Sequence, residues 1–398
     1  MKRCLLAMTA LLLCAANTSP QGPVPGWAPV HIARLKHWAQ AAPKDALPLL
    51  DTGQLDAVVR GPDQVAIDRI ATALALRLAR MHLLGSATPT EQTGWRIADS
   101  DGAIDLQSWL ERALSGGSLD PFFEAQRPQH PDYAVLRAAF AAEKNPARRL
   151  TIARNMERWR WMPQSLGPDY VLVNAANFKA SLWRQGQQVG TWMVIVGKTG
   201  TPTPVFSATI TGVIFNPWWE IPASIVREKR GNFPSRLGYV RANGRYRQRP
   251  GPGNALGQMK LVMPNPYSVY MHDTPDKNLF KREVRAFSHG CIRTADALEF
   301  AATLLKDVKT RAEIDAIVAS RRTTTIDLPS RLPVYVAYFT AATDASGALV
   351  ITPDIYGRDG RISIAGDTDG AHELSAHAVV LVAKDMLDPR PAHRIRSW

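Results

Sequence analysis

The first part of the chain spaces its apolar residues as helices do. Behind Pro62, the positions Val65, Ile67, Ile70, Leu74, Leu78 and Met81 form one stripe, which predicts an amphipathic helix. Arg69, Arg77 and Arg80 interrupt that run and exclude a membrane span. Shorter helical patterns follow over Ile104 to Leu114, closed by Gly116-Gly117, and over Tyr133 to Ala142. Pro146 restarts a helix through Leu150, Ile152, Met156 and Trp159, and Pro163 stops it.

From Tyr170 the rhythm shortens to strands. Tyr170 to Asn174 is followed by Ala180 to Trp183 and Gln188 to Val196, which flank a Gln185-Gly186 turn as in a hairpin. Val205 to Phe215, Met259 to Met263, Tyr267 to Asp273, Val334 to Thr340 and Ala348 to Ile351 read the same way. The expected fold class is α+β, with a helical scaffold region over 23–165, a β-rich domain over 166–360 and a tail over 361–398 that carries little signal.

The N-terminus follows a different logic. Met1-Lys2-Arg3, the apolar run Cys4 to Ala16 and a polar, proline-containing exit give the order of a secretory signal peptide over 1–22. Cys4 and Cys14 lie in that segment, so the exported chain keeps Cys291 alone, a free thiol in an oxidising compartment. The formal charge is +13, and loss of Lys2 and Arg3 leaves +11. Export excludes nucleic acid as the natural partner of this basic protein and favours anionic envelope polymers or membrane surfaces. Within the β-rich domain, residues 227–260 break the strand rhythm. Nine basic residues there face the single acid Glu228, which suits either a solvated loop or a flap over an anionic substrate.

The chemistry concentrates between Tyr267 and Arg293. If residues 267 to 272 form a strand, Ser268, Tyr270 and His272 share one face while Val269 and Met271 point inward. After Cys291, Thr294 suits a helix N-cap, which would set the thiol on the approach to a helix N-terminus and favour the thiolate. Gly290 permits a sharp turn, and the N–H groups of Gly290 and Cys291 are the candidate oxyanion donors. Two histidines compete as base, His289 and His272, and spacing does not decide between them.

His272 and the string Ser288-His289-Gly290-Cys291-Ile292-Arg293 resemble the signature of the L,D-transpeptidases, the YkuD-type catalytic domain. Tyr270-Met271-His272-Asp273-Thr274-Pro275, Asn278 to Arg282 and Asn216-Pro217-Trp218-Trp219-Glu220-Ile221-Pro222 are similar to the large periplasmic, YcbB-type members of enteric bacteria. The likeness covers roughly 150 to 360 and is weak before residue 145.

The resemblance implies that 166–360 is the catalytic domain, with 227–260 as its capping flap, in the periplasm of a Gram-negative envelope. It implies a nucleophile at Cys291 and a base at His272 whose other ring nitrogen is held by a backbone carbonyl, that of Asp273. Tyr270, His289, Arg293 and Trp219 become candidate substrate contacts. Tyr270 could serve the acyl group or the oxyanion, and Arg293 the loop or a substrate carboxylate. The implied partners are peptidoglycan stem peptides, a tetrapeptide donor and an acceptor amine, with carbapenem-type β-lactams as covalent inhibitors. No cofactor or metal is implied. The same cysteine would also serve an L,D-carboxypeptidase or an enzyme attaching protein to the wall or releasing it, and a non-catalytic wall-binding scaffold is the reading outside enzymology.

Overall fold

The structure, a computed structural model, describes residues 26–364. The expected signal peptide and residues 365–398 of the expected tail lie outside the described residues. Residues 361–364 are docked: Ile362 and Ile364 are buried, and Ser363 N–H donates to Glu91 at 2.8 Å.

Among the described residues, seven α-helices lie ahead of Tyr170, with one short strand of the sheet, Trp95–Arg96, between the third and fourth: α1 Pro29–Ala41, α2 Gly53–Val58, α3 Gln64–Leu84, α4 Leu106–Ser115, α5 Asp120–Ala125, α6 Pro131–Ala142 and α7 Pro146–Arg160. Helix α3 starts where Asp63 accepts a hydrogen bond from Ala66 N–H at 3.0 Å. Its inward stripe is Ile67, Ala71, Ala75 and Leu78, packed against Leu35 and Trp38 of α1 and Leu110 of α4. Val65, placed in that stripe by its spacing, stands 78% exposed because the cap puts it on the outer side of the first turn.

His82 near the end of α3 is fully buried, edge-on to Trp38, and both ring nitrogens lack hydrogen-bond partners among the described residues. Burial depresses its pKa to about 3; Asp45 opposes this, while Arg160, Arg127 and Arg137 add to it. The unfolded chain therefore takes up a proton below pH 6.5 that the folded chain refuses until about pH 3, so stability falls as the pH drops through that window. We predict that His82→Leu shrinks the loss of stability between pH 7 and 4 by about 3 kcal/mol, read as the difference in urea midpoints between variant and wild type. Parallel acid profiles would contradict this.

Helix α7 joins the helical region to the sheet and is buried from Thr151 to Arg160 despite its polar sequence. The cost of hiding those groups is offset by partners. Arg160 and Glu157, both inaccessible, pair at 2.9 Å, and Glu157 also accepts the N–H groups of Ser86 and Ala87 beyond the end of α3. On the side facing the strands, Arg158 reaches Asp359 at 2.6 Å and Asn155 reaches Thr340.

Eight strands close on themselves: β1 Tyr170–Asn174, β2 Lys179–Arg184, β3 Gln187–Gly197, β4 Val205–Phe215, β5 Met259–Val262, β6 Met271–His272, β7 Ile292–Thr294 and β8 Thr324–Ala337. Their order is β4-β8-β1-β2-β3-β7-β6-β5, and β5 pairs back with β4. Most pairs are antiparallel; β8 with β1 and β6 with β7 are parallel. The β2–β3 hairpin turns on Gln185 and Gly186, both with positive φ, the two-residue turn that matches strand twist. Strand β8 is far longer than the expected Val334 to Thr340, because its first half runs along β4 with an exposed outer edge.

The insertion also differs from its expected bounds. It occupies 216–258, between β4 and β5, and holds the helix α8 Ala223–Glu228 and a small sheet of Trp219–Glu220, Arg245–Gln248 and Tyr239–Ala242. Residues 259 and 260 belong to the barrel: Met259 and Leu261 point into the core, so Lys260 between them faces out.

Candidate active site

The expected strand over Tyr267 to Asp273 shrinks to β6. Asn265 is the reason: its Oδ1 accepts the N–H groups of Tyr267 and Val269, and its Nδ2 donates to the carbonyls of Met263 and Val269, leaving no ladder for residues 265–269. Ser268, with φ +54°, turns its carbonyl toward Cys291 Sγ at 3.8 Å.

Register fixes the site. Met271 aligns with Ile292 and His272 with Arg293 across β6–β7, and His272 aligns with Lys260 across β6–β5. Directly paired residues share a face. Met271 and Ile292 fill the core, so Lys260, His272 and Arg293 lie on the opposite face, where Cys291 and Tyr270 continue the alternation. Ile292 N–H donates to Tyr270 O at 2.8 Å and ties the two segments together beside the thiol. Cys291 and His272 are thus diagonal neighbours on adjacent strands.

His272 is buried, and its Nδ1 lies 2.5 Å from the carbonyl oxygen of Asp273. An N–H donated to that oxygen fixes the tautomer and leaves the lone pair on Nε2. Burial holds the ring neutral, with a pKa of about 3; Arg293 and Lys260 push the same way, and the carbonyls of Asp273 and Leu256 pull against them. The Asp273 carboxylate is a brace: it accepts Gln258 N–H at 2.8 Å and pairs with Lys277, and Gly257, with φ +61°, lies where a Cβ would strike it.

The thiol differs from its expected state. Burial raises the pKa of Cys291, and the Tyr270 N–H, Lys260 and Arg293 only partly compensate. The expected helix mouth is also displaced: Thr294 ends β7, and the helix α9 Ala297–Leu304 begins only after Asp296, beyond the short reach of its dipole. The resting pair is thiol and neutral imidazole. Alkylation of Cys291 by iodoacetamide is therefore predicted to rise in one step centred above the ordinary thiol value of about 8.5, with no plateau between pH 4 and 7. A plateau there would reveal a standing thiolate–imidazolium pair and contradict this state.

The turn before the thiol is held by residues that carried no role in the sequence. Ser288 Oγ donates to Cys291 O at 2.6 Å and accepts Gly290 N–H at 3.0 Å. Thr203 Oγ1 donates to Gly290 O at 2.9 Å, and Tyr356 OH donates to Gly197 O at 2.6 Å behind it. Gly290 has φ +113°, a conformation glycine permits. Its N–H, expected to bind an oxyanion, is engaged by Ser288; the Cys291 N–H makes no hydrogen bond among the described residues and is the donor that remains. Thr203 and Tyr356 lie far from Cys291 in sequence and gave no local signal, and Ser288 was visible only as part of a string.

The other candidates separate. Arg293 is half-buried and held by Asp276 at 3.1 Å, which makes it a loop anchor. His289 pairs through Nε2 with Glu228 of α8 at 2.8 Å, clipping the insertion to the turn before Cys291. Trp219 lies in the sheet of the insertion, paired in register with Gln248. Tyr270 lies beneath the Lys260 ammonium, 3.5 Å from its ring centre.

Comparison with known proteins adds to this geometry. Residues 168–326 match the YkuD family, described as an L,D-transpeptidase catalytic domain, and residues 31–140 match a family described as a scaffold domain. A Haemophilus influenzae protein provisionally described as an L,D-transpeptidase is 31% identical over 294 residues, covering 65% of this chain and 59% of that protein. Among solved structures, an L,D-transpeptidase from Mycobacterium smegmatis is 14% identical over 42% of this chain and 58% of its own, with a TM-score of 0.26. L,D-transpeptidase 3 from Mycobacterium tuberculosis, in complex with a faropenem-derived adduct, is 15% identical over 43% and 60%, with a TM-score of 0.25. The chain spans less than two thirds of the length of each of these relatives, and structural likenesses of this size carry no argument about the site.

Proposed function

We propose that the protein is an exported cysteine transpeptidase forming 3→3 cross-links in peptidoglycan of the periplasm, since residues 168–326 match the YkuD family, described as an L,D-transpeptidase catalytic domain, behind a region that matches a scaffold domain. The observation that carries the reading is the placement of Cys291 and His272 as diagonal neighbours on one face of β6 and β7, with the tautomer of the imidazole set by Asp273 O.

The donor is a tetrapeptide stem. As it binds and excludes water, His272 Nε2 takes the thiol proton and Sγ attacks the carbonyl of the third residue. The Cys291 N–H meets the oxyanion. Collapse breaks the amide, His272 returns the proton to the departing amine, and D-alanine leaves a thioester on Cys291. An amine of a second stem then attacks the thioester, its proton passes to His272, and the thiol is restored. One amide is exchanged for another, so no ATP is consumed. Carbapenem-type β-lactams, strained acyl donors, acylate the same sulfur in this scheme.

Incubation of the purified protein with sacculi, followed by muropeptide separation, tests the proposal. New stem dimers linked through third residues are expected. Shortened monomers alone would make it an L,D-carboxypeptidase, and altered protein linkage would make it an attachment or release enzyme. Unchanged muropeptides would leave a non-catalytic wall-binding protein.

A further inference from the structure

Two cations share the face of the thiol, and only one of them is neutralised. Arg293 is bound by Asp276. Lys260, at the centre of β5, has no carboxylate within ion-pair distance among the described residues. Glu220, the acid whose charge reaches it, is already ion-paired with Arg247 at 2.5 Å. Its ammonium instead rests on the Tyr270 ring, 3.5 Å from the centre, and the side chain is half-buried. An aromatic face offsets part of the cost of desolvating a cation and leaves its other donors free. Burial draws protons from Lys260, whereas the Cys291 thiolate favours its charge, which places the ammonium in the electrostatic range of the sulfur.

We propose that Lys260 is the receptor for the terminal carboxylate of the donor's departing amino acid, so that the site reads a free C-terminus. The inference rests on the transpeptidase reading above and adds the group that selects the leaving residue. In the departing D-alanine the carboxylate carbon lies two bonds from the scissile nitrogen. When that nitrogen stands against Cys291 and His272, the carboxylate falls among the groups lining this face, and Lys260 is its unneutralised cation. A charge-assisted hydrogen bond in a half-buried setting then rewards the acid over a neutral terminus. Arg293, spent on Asp276, is unavailable for that role.

Two tetrapeptide donors test this, one ending in D-alanine and one in D-alaninamide, with release of the terminal residue measured on the full chain. Wild type is expected to prefer the acid. Lys260→Met is expected to lower kcat/KM for the acid tenfold to a hundredfold more than for the amide, mostly through KM, beyond the loss both donors share because Lys260 also bears on the Cys291–His272 pair. Lys260→Arg keeps most of the preference, and unchanged melting temperatures show that both variants are folded. Equal loss on both donors would mean that Lys260 acts through the thiol and would overturn the inference, as would no loss on either. A wild type that cleaves neither donor removes the transpeptidase reading itself, and this inference with it.

Discussion

Cys291→Ala is expected to abolish both D-alanine release from a tetrapeptide donor and stem dimer formation in sacculi, a loss of at least about a thousandfold. The scheme divides one amide exchange into two steps that both use the sulfur, and no other cysteine lies among residues 23–398. The melting temperature should change little, because the side chain is small and only partly buried and its hydrogen bond to Ser268 O, at 3.8 Å, is weak. Dimers formed by Cys291→Ala at the wild-type rate would exclude a covalent role for the thiol. Binding to sacculi is expected to survive the substitution, since nothing in the scaffold depends on the sulfur.

His272→Ala is expected to cost about 10²–10⁴ in turnover at neutral pH. The resting thiol is protonated and the ring is neutral, so the imidazole's contribution is removal of a proton that Cys291 does not shed unaided. The deficit should therefore shrink as the pH rises toward the thiol's own ionisation, whereas loss of a merely structural residue would be equal at all pH values. His289→Ala is expected to cost less than about tenfold, since that ring faces Glu228 rather than the sulfur. If His289→Ala were the more damaging and His272→Ala nearly silent, the assignment of the base would be reversed.

The broad architecture was legible because periodicity reports burial. The α3 stripe, the hairpin at Gln185-Gly186 and the boundary near Tyr170 all follow from spacing and turn chemistry. What escaped depends on side chains reaching beyond their own segment. Asn265 dismantles a strand that Tyr267 to Asp273 favours by composition. Asp296 delays the helix that Thr294 seemed fit to cap. Lys260, counted with the basic insertion, belongs to the floor because Met259 and Leu261 on either side of it are core. The positions of Cys291 and His272 could be singled out in the sequence through their resemblance to a known signature, but the protonation of the pair could not. That depends on burial, on Arg293 and Lys260, and on the carbonyl of Asp273, none of which spacing displays.

The most direct test is the intact mass of the protein a short time after mixing with a tetrapeptide donor in the absence of an acceptor amine. The account predicts a gain equal to the donor minus D-alanine, removable by neutral hydroxylamine and missing from Cys291→Ala. Release of D-alanine without any such gain, or the same gain in Cys291→Ala, would contradict it.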